Sequence, residues 1–501
     1  MTIGHELNSR EIECWGLLEL RLQGPSEGNP FKEVELGAEF VYKHRVARAD
    51  GFYNGQGQYI IRFMPDAEGE WVYKLRSSRK EWDGAEGSFT CTTPKEGNHG
   101  PVRVRSAVHF AYEDGTPYRP FGTTCYVWTH QADTIQEETL ESLRQGPFNK
   151  IRMCVFPKRY SFNMNEPDCF PFAGSRDEGF DWTRFNPVYF ERLEKRIVQL
   201  QQLGIEADLI LFHPYDQGHW GFDRMDAETD ARYLRYVIAR LGAYRNVWWS
   251  LANEFDFMQT KTMDDWDRFF RIVQENDPYQ HLRSIHNGTK MYDPANLVLY
   301  DHNKPWVTHV SMQYWELTPT TAWLKRYGKP VVVDECCYEG NLPQRWGNIS
   351  GMEMTARFWD GFTRGGSVGH GETFLNPEEV IWWSKGGKLQ GESPQRIAFL
   401  RAILEEAPWD AVPIERMRDA PAIGVEGEYY LQYFGLHCPA YRELALPEDR
   451  SFRIDLIDTW NMTVASLEGT YSGAVRIDLP GAPYFAIRAT AAAAEQAGMS
   501  S

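Results

Sequence analysis

Apolar and polar positions follow one pattern near both ends of the chain. From residue 1 to about 95, short runs rich in aromatic and β-branched residues, such as GQYIIRFMPD and EGEWVYKLRS, are separated by turn residues. Similar runs return later, in EGEYYLQYFG and RSFRIDLIDTW. This pattern predicts two β-sandwich domains, an N-terminal one of immunoglobulin-like size over residues 1–95 and a smaller C-terminal one over residues 411–489.

Between these two stretches, apolar strand-like runs alternate with amphipathic helical segments such as NPVYFERLEKRIVQLQQLG. Eight runs are predicted strands: Phe121–Cys125, Lys150–Val155, Glu206–Phe212, Val247–Ala252, Arg283–His286, Thr308–Gln313, Val331–Asp334 and Gly366–Gly369. Repeated βα units predict a parallel sheet, and eight of them in about 290 residues predict a closed barrel. The expected fold class is therefore α/β, a (β/α)8 TIM barrel over residues 106–408, flanked by the two β-sandwiches.

Composition narrows the function classes. The net charge is −17 and no run of Lys or Arg stands out, so we expect no nucleic-acid partner. An acidic surface repels anionic membranes, and no run of 18 apolar residues predicts a membrane span, so no membrane partner is expected. The eight cysteines show no CxxC spacing and no secretory leader is readable, which favours buried free thiols and a cytoplasmic location.

Two nearly all-apolar predicted strands end in a glutamate. The fourth, in NVWWSLANEFDF, ends in Asn253-Glu254, and the seventh, in KPVVVDECCYEG, ends in Glu335. The carboxyl ends of barrel strands surround the open face on which catalytic residues lie. Two carboxyl groups that converge there can cleave a glycosidic bond, one by protonating the leaving oxygen and one by attacking the anomeric carbon. We therefore predict that Glu254 and Glu335 are a catalytic pair.

These motifs resemble those of the clan-A glycoside hydrolases, in which Asn-Glu ends strand 4 and Glu ends strand 7. The resemblance implies that Glu254 is the acid/base, that Glu335 is the nucleophile and that Asn253 binds the hydroxyl next to the anomeric carbon. Arg152 and Tyr314 match the clan's Arg on strand 2 and Tyr near strand 6, and are expected to donate to Glu335 and keep it ionised. The three-part layout also looks like a bacterial group with an apiosidase-like barrel, although apiose specificity is not implied because the apiosidase lacks the Asn-Glu pattern.

Further polar and aromatic residues near the predicted strand ends are expected to line the sugar site. They are His213, His286, Gln313, His370, Glu372 and the pair Trp382 and Trp383. One of the two tryptophans is expected to form the platform under the sugar, as the resemblance implies. Glu372 is the chief rival to the catalytic pair.

The function predicted from these residues is that of a retaining, exo-acting glycoside hydrolase. It would release a terminal sugar from a short oligosaccharide or glycoside by double displacement, with a carbohydrate as its partner and with no cofactor or metal. Self-association through the sandwiches is left open. Two alternatives remain: a carbohydrate-binding protein on an inactive barrel, and a metal-dependent hydrolase on the same barrel.

Overall fold

The computed structural model describes residues 5–288, 293–417 and 419–492. The N-terminal part forms one sheet that bends into two layers, in the order β1-β3-β6-β5-β4-β7-β8-β2. Its elements are β1 (His5–Leu7), β2 (Glu11–Glu13), β3 (Leu18–Gln23), α1 (Pro30–Glu33), β4 (Leu36–Tyr42), β5 (Arg45–Tyr53), β6 (Gln58–Phe63), β7 (Gly69–Ser77) and β8 (Glu86–Thr92). Strand β5 pairs with β4 up to Asp50 and with β6 from Gly51 onward, so it crosses from one layer to the other. An aromatic core fills the space between the layers.

A small antiparallel sheet then covers one end of the barrel. It comprises β9 (Val102–Val104), β10 (Phe110–Tyr112) and β11 (Pro117–Tyr118). Its side chains pack against Trp248 and Val332, which lie at the amino-terminal ends of two barrel strands. This end of the barrel is therefore filled with apolar side chains, while the opposite end carries the polar residues that follow the strands.

The central part alternates strands with helices. Its elements are β12 (Phe121–Thr124), α2 (Asp133–Gln145), β13 (Lys150–Cys154), β14 (Phe172–Ser175), β15 (Gly179–Phe185), α3 (Pro187–Gln202), β16 (Glu206–Phe212), α4 (Ala227–Leu241), β17 (Val247–Ala252), α5 (Met263–Asn276), β18 (Arg283–Ser284), β19 (Val310–Gln313), α6 (Thr320–Tyr327), β20 (Val331–Glu335), β21 (Glu339–Gly340), α7 (Gly351–Thr363), β22 (Ser367–His370), β23 (Glu372–Thr373), α8 (Trp382–Lys385) and α9 (Ser393–Glu405). Within the described residues, five short 3-10 helices lie in the loops, at Trp128–His130, Phe222–Arg224, Phe255–Phe257, Pro294–Asn296 and Arg345–Gly347.

Eight of these strands form a parallel, nearly closed barrel in the order β18-β17-β16-β13-β12-β22-β20-β19. The gap between β18 and β19 is bridged by other groups. Thr308 N donates to Arg283 O at 3.0 Å, and the side chain of Asn287 exchanges two hydrogen bonds with the backbone of Gln313. The predicted TIM barrel and its eight strands are confirmed, with bounds that differ by at most two residues.

The C-terminal part is again all β. It comprises β24 (Val412–Pro413), β25 (Ala422–Val425), β26 (Tyr429–Tyr433), β27 (Tyr441–Ala445), β28 (Phe452–Asp458), β29 (Thr463–Ser466), β30 (Ala474–Asp478) and β31 (Phe485–Ala491). Six strands form a sheet in the order β24-β25-β26-β31-β28-β29, and β27 pairs with β30. Tyr433 on β26 packs on Trp359 of α7, so this domain continues the hydrophobic core of the barrel. The predicted β-rich flanking domains are confirmed, while their exact boundaries stay a prediction. None of the helices within the described ranges is long and apolar enough to cross a membrane.

A buried arginine joins the N-terminal domain to the barrel. Arg62 on β6 donates to Glu19 at 2.9 Å, to Glu194 on α3 at 2.7 Å and to the carbonyl oxygen of Arg240 at 2.6 Å. Both glutamates are buried with it. Removing this cation would leave two buried carboxylates with one arginine each, Arg240 for Glu194 and the half-exposed Arg21 for Glu19.

We therefore expect Arg62→Met to lower the free energy of unfolding by about 3 kcal/mol, because the buried carboxylates would lose the arginine that offsets their negative charge. The measurement is urea unfolding followed by fluorescence. Arg48→Met removes the exposed pair with Glu39 and should change stability by less than about 1 kcal/mol. Equal effects of the two substitutions would contradict the prediction.

Candidate active site

On the open face of the barrel, Glu335 is the last residue of β20 and Glu254 follows β17 by two residues, and the side chains of Asn253 and Arg152 connect them. Asn253 donates through Nδ2 to Oε2 of Glu254 at 3.2 Å. Its Oδ1 accepts from Arg152 at 3.2 Å, and Arg152 in turn donates to Glu335 at 3.1 Å. The structure thus brings all four of these predicted residues together.

Local backbone geometry aims Glu254 into this group. Its φ of 52° lies in the left-handed region, which is uncommon for a residue with a Cβ and is typical of functional positions held by their surroundings. Phe255 N donates to the carbonyl oxygen of His286 at 3.0 Å, which holds the turn against the next strand. Gly288 packs so closely that a Cβ there would lie 2.6 Å from the Cβ of Glu254, so only glycine leaves room for the glutamate.

Glu335 lies among donors and cations. The hydroxyl of Tyr126 and the guanidinium of Arg152 donate to its Oε1, and His286 Nε2 lies 3.4 Å from the same oxygen. Burial alone would raise the pKa of Glu335, but these three neighbours outweigh it and lower the pKa to about 2. Glu335 is therefore ionised at neutral pH.

Glu254 lies in a different environment. Burial, and next the negative charge of Glu335, raise the pKa of Glu254 to about 7, against the opposite effects of Lys158, Tyr215 and Gln313. The hydroxyl of Tyr215 donates to Oε2 of Glu254. Glu254 is thus poised to hold a proton near neutral pH and to release it, while Glu335 stays charged. Two neighbouring carboxyl groups whose pKa values are shifted in opposite directions are typical of an acid and a nucleophile.

A buried ionic layer lies beneath the pair. Lys150 Nζ lies 2.7 Å from a carboxylate oxygen of Asp208 and 2.7 Å from one of Asp334. Arg152, two residues along β13, points to the same side of the strand and lies above them. The ion pairs hold the pKa of Asp334 well below its usual range, against the effect of burial. This layer fixes the guanidinium that contacts Glu335.

Aromatic rings form one wall of the site. The indole of Trp383 packs against Tyr126, Tyr160, Phe162 and Trp346 with ring centroids 5.0–5.5 Å away. Its neighbour Trp382 turns away, donates through Nε1 to the hydroxyl of Thr123 at 2.9 Å and packs in the barrel core. Of the two tryptophans, Trp383 is therefore the one beside the carboxylate pair.

Of the other predicted residues, His286 and Gln313 contact the two glutamates, whereas His213 bonds the backbone. His286 contacts Glu335, and the side chain of Gln313 bonds Glu254. Both ring nitrogens of His213 face the backbone, one accepting from Tyr215 N at 3.2 Å and the other lying 3.4 Å from Phe156 O. His213 therefore holds the loop that carries Tyr215.

Three further predicted residues, Tyr314, His370 and Glu372, do not reach the pair. The phenol that donates to Glu335 belongs to Tyr126 and not, as expected, to Tyr314, whose ring packs edge-on against Trp323 of α6. His370 stacks on Phe148 with ring centroids 4.6 Å apart, on the outer side of β22. Glu372 accepts from Gln390 N at 2.7 Å. Sugar contacts by His370, Glu372 and Tyr314 stay predictions.

His370 and Glu372 belong instead to a buried cluster with Glu339. One potential ligand atom from each lies within 4.8 Å of the others, a spacing that could hold a metal ion. Glu339 accepts three hydrogen bonds from Glu392 and Ser393 at the start of α9. These bonds give Glu339 a structural role at the start of α9.

Sequence reasoning missed several residues beside the pair, among them Tyr126, Tyr215 and Lys158. All three follow barrel strands within two to four residues, as Asn253 and Glu254 follow β17. Position after a strand was therefore the available signal. This position did not distinguish Tyr126, Tyr215 and Lys158 from other residues, because aromatic residues and lysines are common in loops. The direction of their side chains depends on the path of each loop.

Comparison with known families matches three parts of the chain. The apiosidase-like catalytic domain matches residues 105–410. Two domains of unknown function, DUF5060 and DUF5605, match residues 11–78 and 418–490. No curated protein shows significant similarity to the chain.

Solved structures similar to this chain include two that are described as glycoside hydrolases. A crystal structure described as that of a glycoside hydrolase from Bacteroides vulgatus ATCC 8482 is 41% identical, covers 97% of this chain and 100% of its own, and superposes with a TM-score of 0.92. A glycoside hydrolase family 5 protein from the same organism is 15% identical over 79% of this chain and 94% of its own, with a TM-score of 0.57. The second likeness concerns the fold alone.

Proposed function

Because the chain belongs to the apiosidase-like family and is a glycoside hydrolase, we propose that it acts by the retaining mechanism, with Glu335 as the nucleophile and Glu254 as the acid/base. The single observation that carries this proposal is the contrast between the two carboxyl groups. Glu335 is held ionised by His286, Arg152 and Tyr126, whereas burial raises the pKa of Glu254, and Asn253 connects Glu254 to Arg152.

In the first step, the carboxylate of Glu335 attacks the anomeric carbon while Glu254 gives its proton to the leaving oxygen. A glycosyl ester on Glu335 forms, and the aglycone leaves as an alcohol. In the second step, ionised Glu254 takes a proton from water, the hydroxyl attacks the same carbon and the ester bond breaks. The sugar leaves with its original configuration, and both glutamates return to their starting states.

The site favours exo action on a small glycoside. Both carboxyl groups are almost enclosed, with Glu254 6% and Glu335 3% exposed. Rings of Trp383, Phe162 and Trp346 close one side of the site. An enclosed site admits one terminal sugar more readily than the middle of a polymer. The substrate we propose is therefore a short oligosaccharide or a simple glycoside.

The test is a panel of p-nitrophenyl glycosides with the wild-type enzyme, followed by NMR of the first product formed. Retention of the anomeric configuration supports double displacement, and inversion would overturn it. Preincubation with EDTA separates the metal-dependent alternative, which chelation would inactivate, from the proposed mechanism, which needs no ion. Sugar binding without turnover across the panel would favour the carbohydrate-binding alternative.

The pH profile of kcat/KM should be bell-shaped, with its alkaline midpoint near pH 7. The pKa of Glu254 is raised to about 7, so activity is lost as the pH rises through that value and the acid loses its proton. The pKa of Glu335 is lowered to about 2, so activity falls only in strong acid, when the nucleophile becomes protonated. Initial rates at low substrate concentration measure both limbs. An alkaline limb above about pH 9 would contradict this assignment of the acid.

The two neighbouring tryptophans should respond differently to replacement by leucine. Trp383→Leu is expected to raise KM by roughly 10-fold, because loss of a flat apolar platform costs about 1–2 kcal/mol of sugar binding. Trp382→Leu should leave KM close to wild type but lower the free energy of unfolding by about 2 kcal/mol, since it removes a core ring and its bond to Thr123. Steady-state kinetics and thermal unfolding of both variants check this, and the reverse pattern would place the platform on Trp382.

A further inference from the structure

A buried lysine beside the catalytic pair has no ion-pair partner in the part of the chain that the structure describes. Lys158 follows β13 and is 1% exposed. Its Nζ lies 3.4 Å from the ring centroid of Tyr126, 4.0 Å from that of Tyr215 and 4.5 Å from that of Tyr160, with Trp383 at 5.4 Å. Among the described residues, no carboxylate forms an ion pair with it and no acceptor forms a hydrogen bond with it. Aromatic faces alone hold this cation.

Two of those rings connect the ammonium to the two glutamates. The hydroxyl of Tyr126 donates to Glu335, and that of Tyr215 donates to Glu254. The ammonium therefore lies one ring away from each carboxyl group. It is close enough to act on both through a poorly solvated interior, and it touches neither.

The charges beneath the site explain why a cation is needed there. Lys150, Arg152 and His286 face three carboxylates, those of Asp208, Asp334 and Glu335, so these cations leave nothing to offset a further negative charge on Glu254. Lys158 offsets that charge when Glu254 is ionised. The titratable groups that face Lys158 come from five segments, and they are Tyr126, Arg152, Cys154, Tyr160, His213, Tyr215, Glu254 and Glu335.

The proposed double displacement moves negative charge between the glutamates. When the sugar ester forms, Glu335 becomes neutral and Glu254, having given up its proton, becomes the anion. We propose that Lys158 is a positioning residue whose ammonium stabilises the ionised Glu254 of the glycosyl-enzyme, so that Glu254 can take a proton from water. This inference rests on the roles proposed above for the two glutamates.

The test compares Lys158→Met, which removes the charge, with Lys158→Arg, which keeps it. We expect Lys158→Met to shift the alkaline limb of kcat/KM upward by about one pH unit, because a nearby cation no longer favours the anion. Burial lowers the pKa of Lys158 to about 8, against the opposite effect of nearby anions. Lys158 is charged only below that pH, so the shift should be visible there. Lys158→Arg should keep the limb within about 0.3 unit of wild type.

A second readout separates the two chemical steps. With a 2,4-dinitrophenyl glycoside, whose leaving group needs no acid, Lys158→Met should slow hydrolysis of the intermediate by roughly 10-fold. Mass spectrometry should then show the glycosyl-enzyme accumulating. An unshifted limb with equal slowing of both steps would mean that Lys158 only packs, and would overturn the inference. If Glu335→Gln keeps full activity, the proposed catalytic roles fail first, so the two failures are distinguishable.

An independent observation concerns a cysteine pair in the N-terminal domain. Sγ of Cys14 and Sγ of Cys91 lie 3.0 Å apart, and both residues are buried. Cys14 follows β2, the edge strand of the sheet, and Cys91 lies on the adjacent β8, where Cys14 N donates to Thr92 O. Closing the sulfur gap to the roughly 2.05 Å of a disulfide needs a movement of only about 1 Å.

We infer that Cys14 and Cys91 form a disulfide when the chain folds in an oxidising compartment. A low-molecular-weight disulfide such as oxidised glutathione is the oxidant. The thiolate of Cys14 attacks it and releases one glutathione thiol, and the thiolate of Cys91 then attacks the mixed disulfide and releases the second. Burial raises the pKa of both thiols, so the exchange takes place while the edge strand is open.

The test is to produce the full chain in a bacterial periplasm and in the cytoplasm, then alkylate it under denaturing conditions. Periplasmic protein should carry a Cys14–Cys91 cross-linked peptide by mass spectrometry, and its unfolding temperature should fall by several degrees on reduction, because the bridge closes a 77-residue loop. Cys14→Ser should abolish both effects. Full alkylation of Cys14 and Cys91 in the periplasmic protein would overturn the inference.

Discussion

Glu335→Gln is expected to reduce kcat by roughly 10⁴-fold or more, with sugar binding preserved. The amide has the size of the carboxylate but carries no charge and cannot form the glycosyl ester. Arg152 and Tyr126, which donate to Oε1 of Glu335, would still hold the amide oxygen in place, so the pocket should keep its shape. Turnover of the best p-nitrophenyl glycoside and calorimetric binding of the released sugar give the two quantities.

Glu206→Gln provides a matched control. Glu206 is also a buried barrel glutamate with a pKa raised by burial, to about 8, but it begins β16 at the opposite end of the barrel and accepts from Trp248 Nε1 at 2.9 Å. The same isosteric change there should leave kcat within about 3-fold of wild type. A Glu335→Gln enzyme with activity like that of Glu206→Gln would remove Glu335 from the mechanism.

The second large effect is expected from Glu254→Ala, through loss of the proton donor. For glycosides with poor leaving groups, kcat/KM should fall by about 10²–10⁴-fold, the usual contribution of a general acid. For a 2,4-dinitrophenyl glycoside, formation of the intermediate should be much less affected, because that leaving group needs no proton. The glycosyl-enzyme should then accumulate, since no base remains to activate water. Stopped-flow kinetics shows this as a burst followed by slow turnover.

Azide supplies the decisive control for Glu254→Ala. A small anion can enter the space left by the side chain and attack the intermediate without a base. We expect azide to restore turnover and to yield a glycosyl azide with the configuration of the substrate. The alkaline limb near pH 7 should also disappear from the profile of this variant. Failure of azide to accelerate turnover, together with an unchanged pH profile, would assign the acid/base to another residue.

Much of this protein could be predicted from its sequence because the relevant signals are local. Eight apolar runs separated by amphipathic segments predicted the barrel strands. Asn253, Glu254 and Glu335 were recognised because they are polar residues at the ends of apolar strands. Burial of a strand on both faces requires apolar side chains throughout, so its end is visible in the chain itself. The fold class and the position of both glutamates at one end of the barrel followed from that pattern, whereas the roles of Asn253 and Arg152 were implied by the resemblance to clan-A glycoside hydrolases.

Which neighbours serve the pair was decided only by the tertiary structure. The register of β19 shifts between Met312 and Gln313, and the next residue, Tyr314, packs against α6. Tyr126, which follows β12, reaches Glu335 instead. The alternation of β22 places His370 on the outer side with Val368. The direction of a side chain beyond a strand end depends on bulges, twist and loop path, which no local pattern specifies. The aromatic cage of Lys158 gathers rings from four separate segments, so it exists only once the barrel has closed.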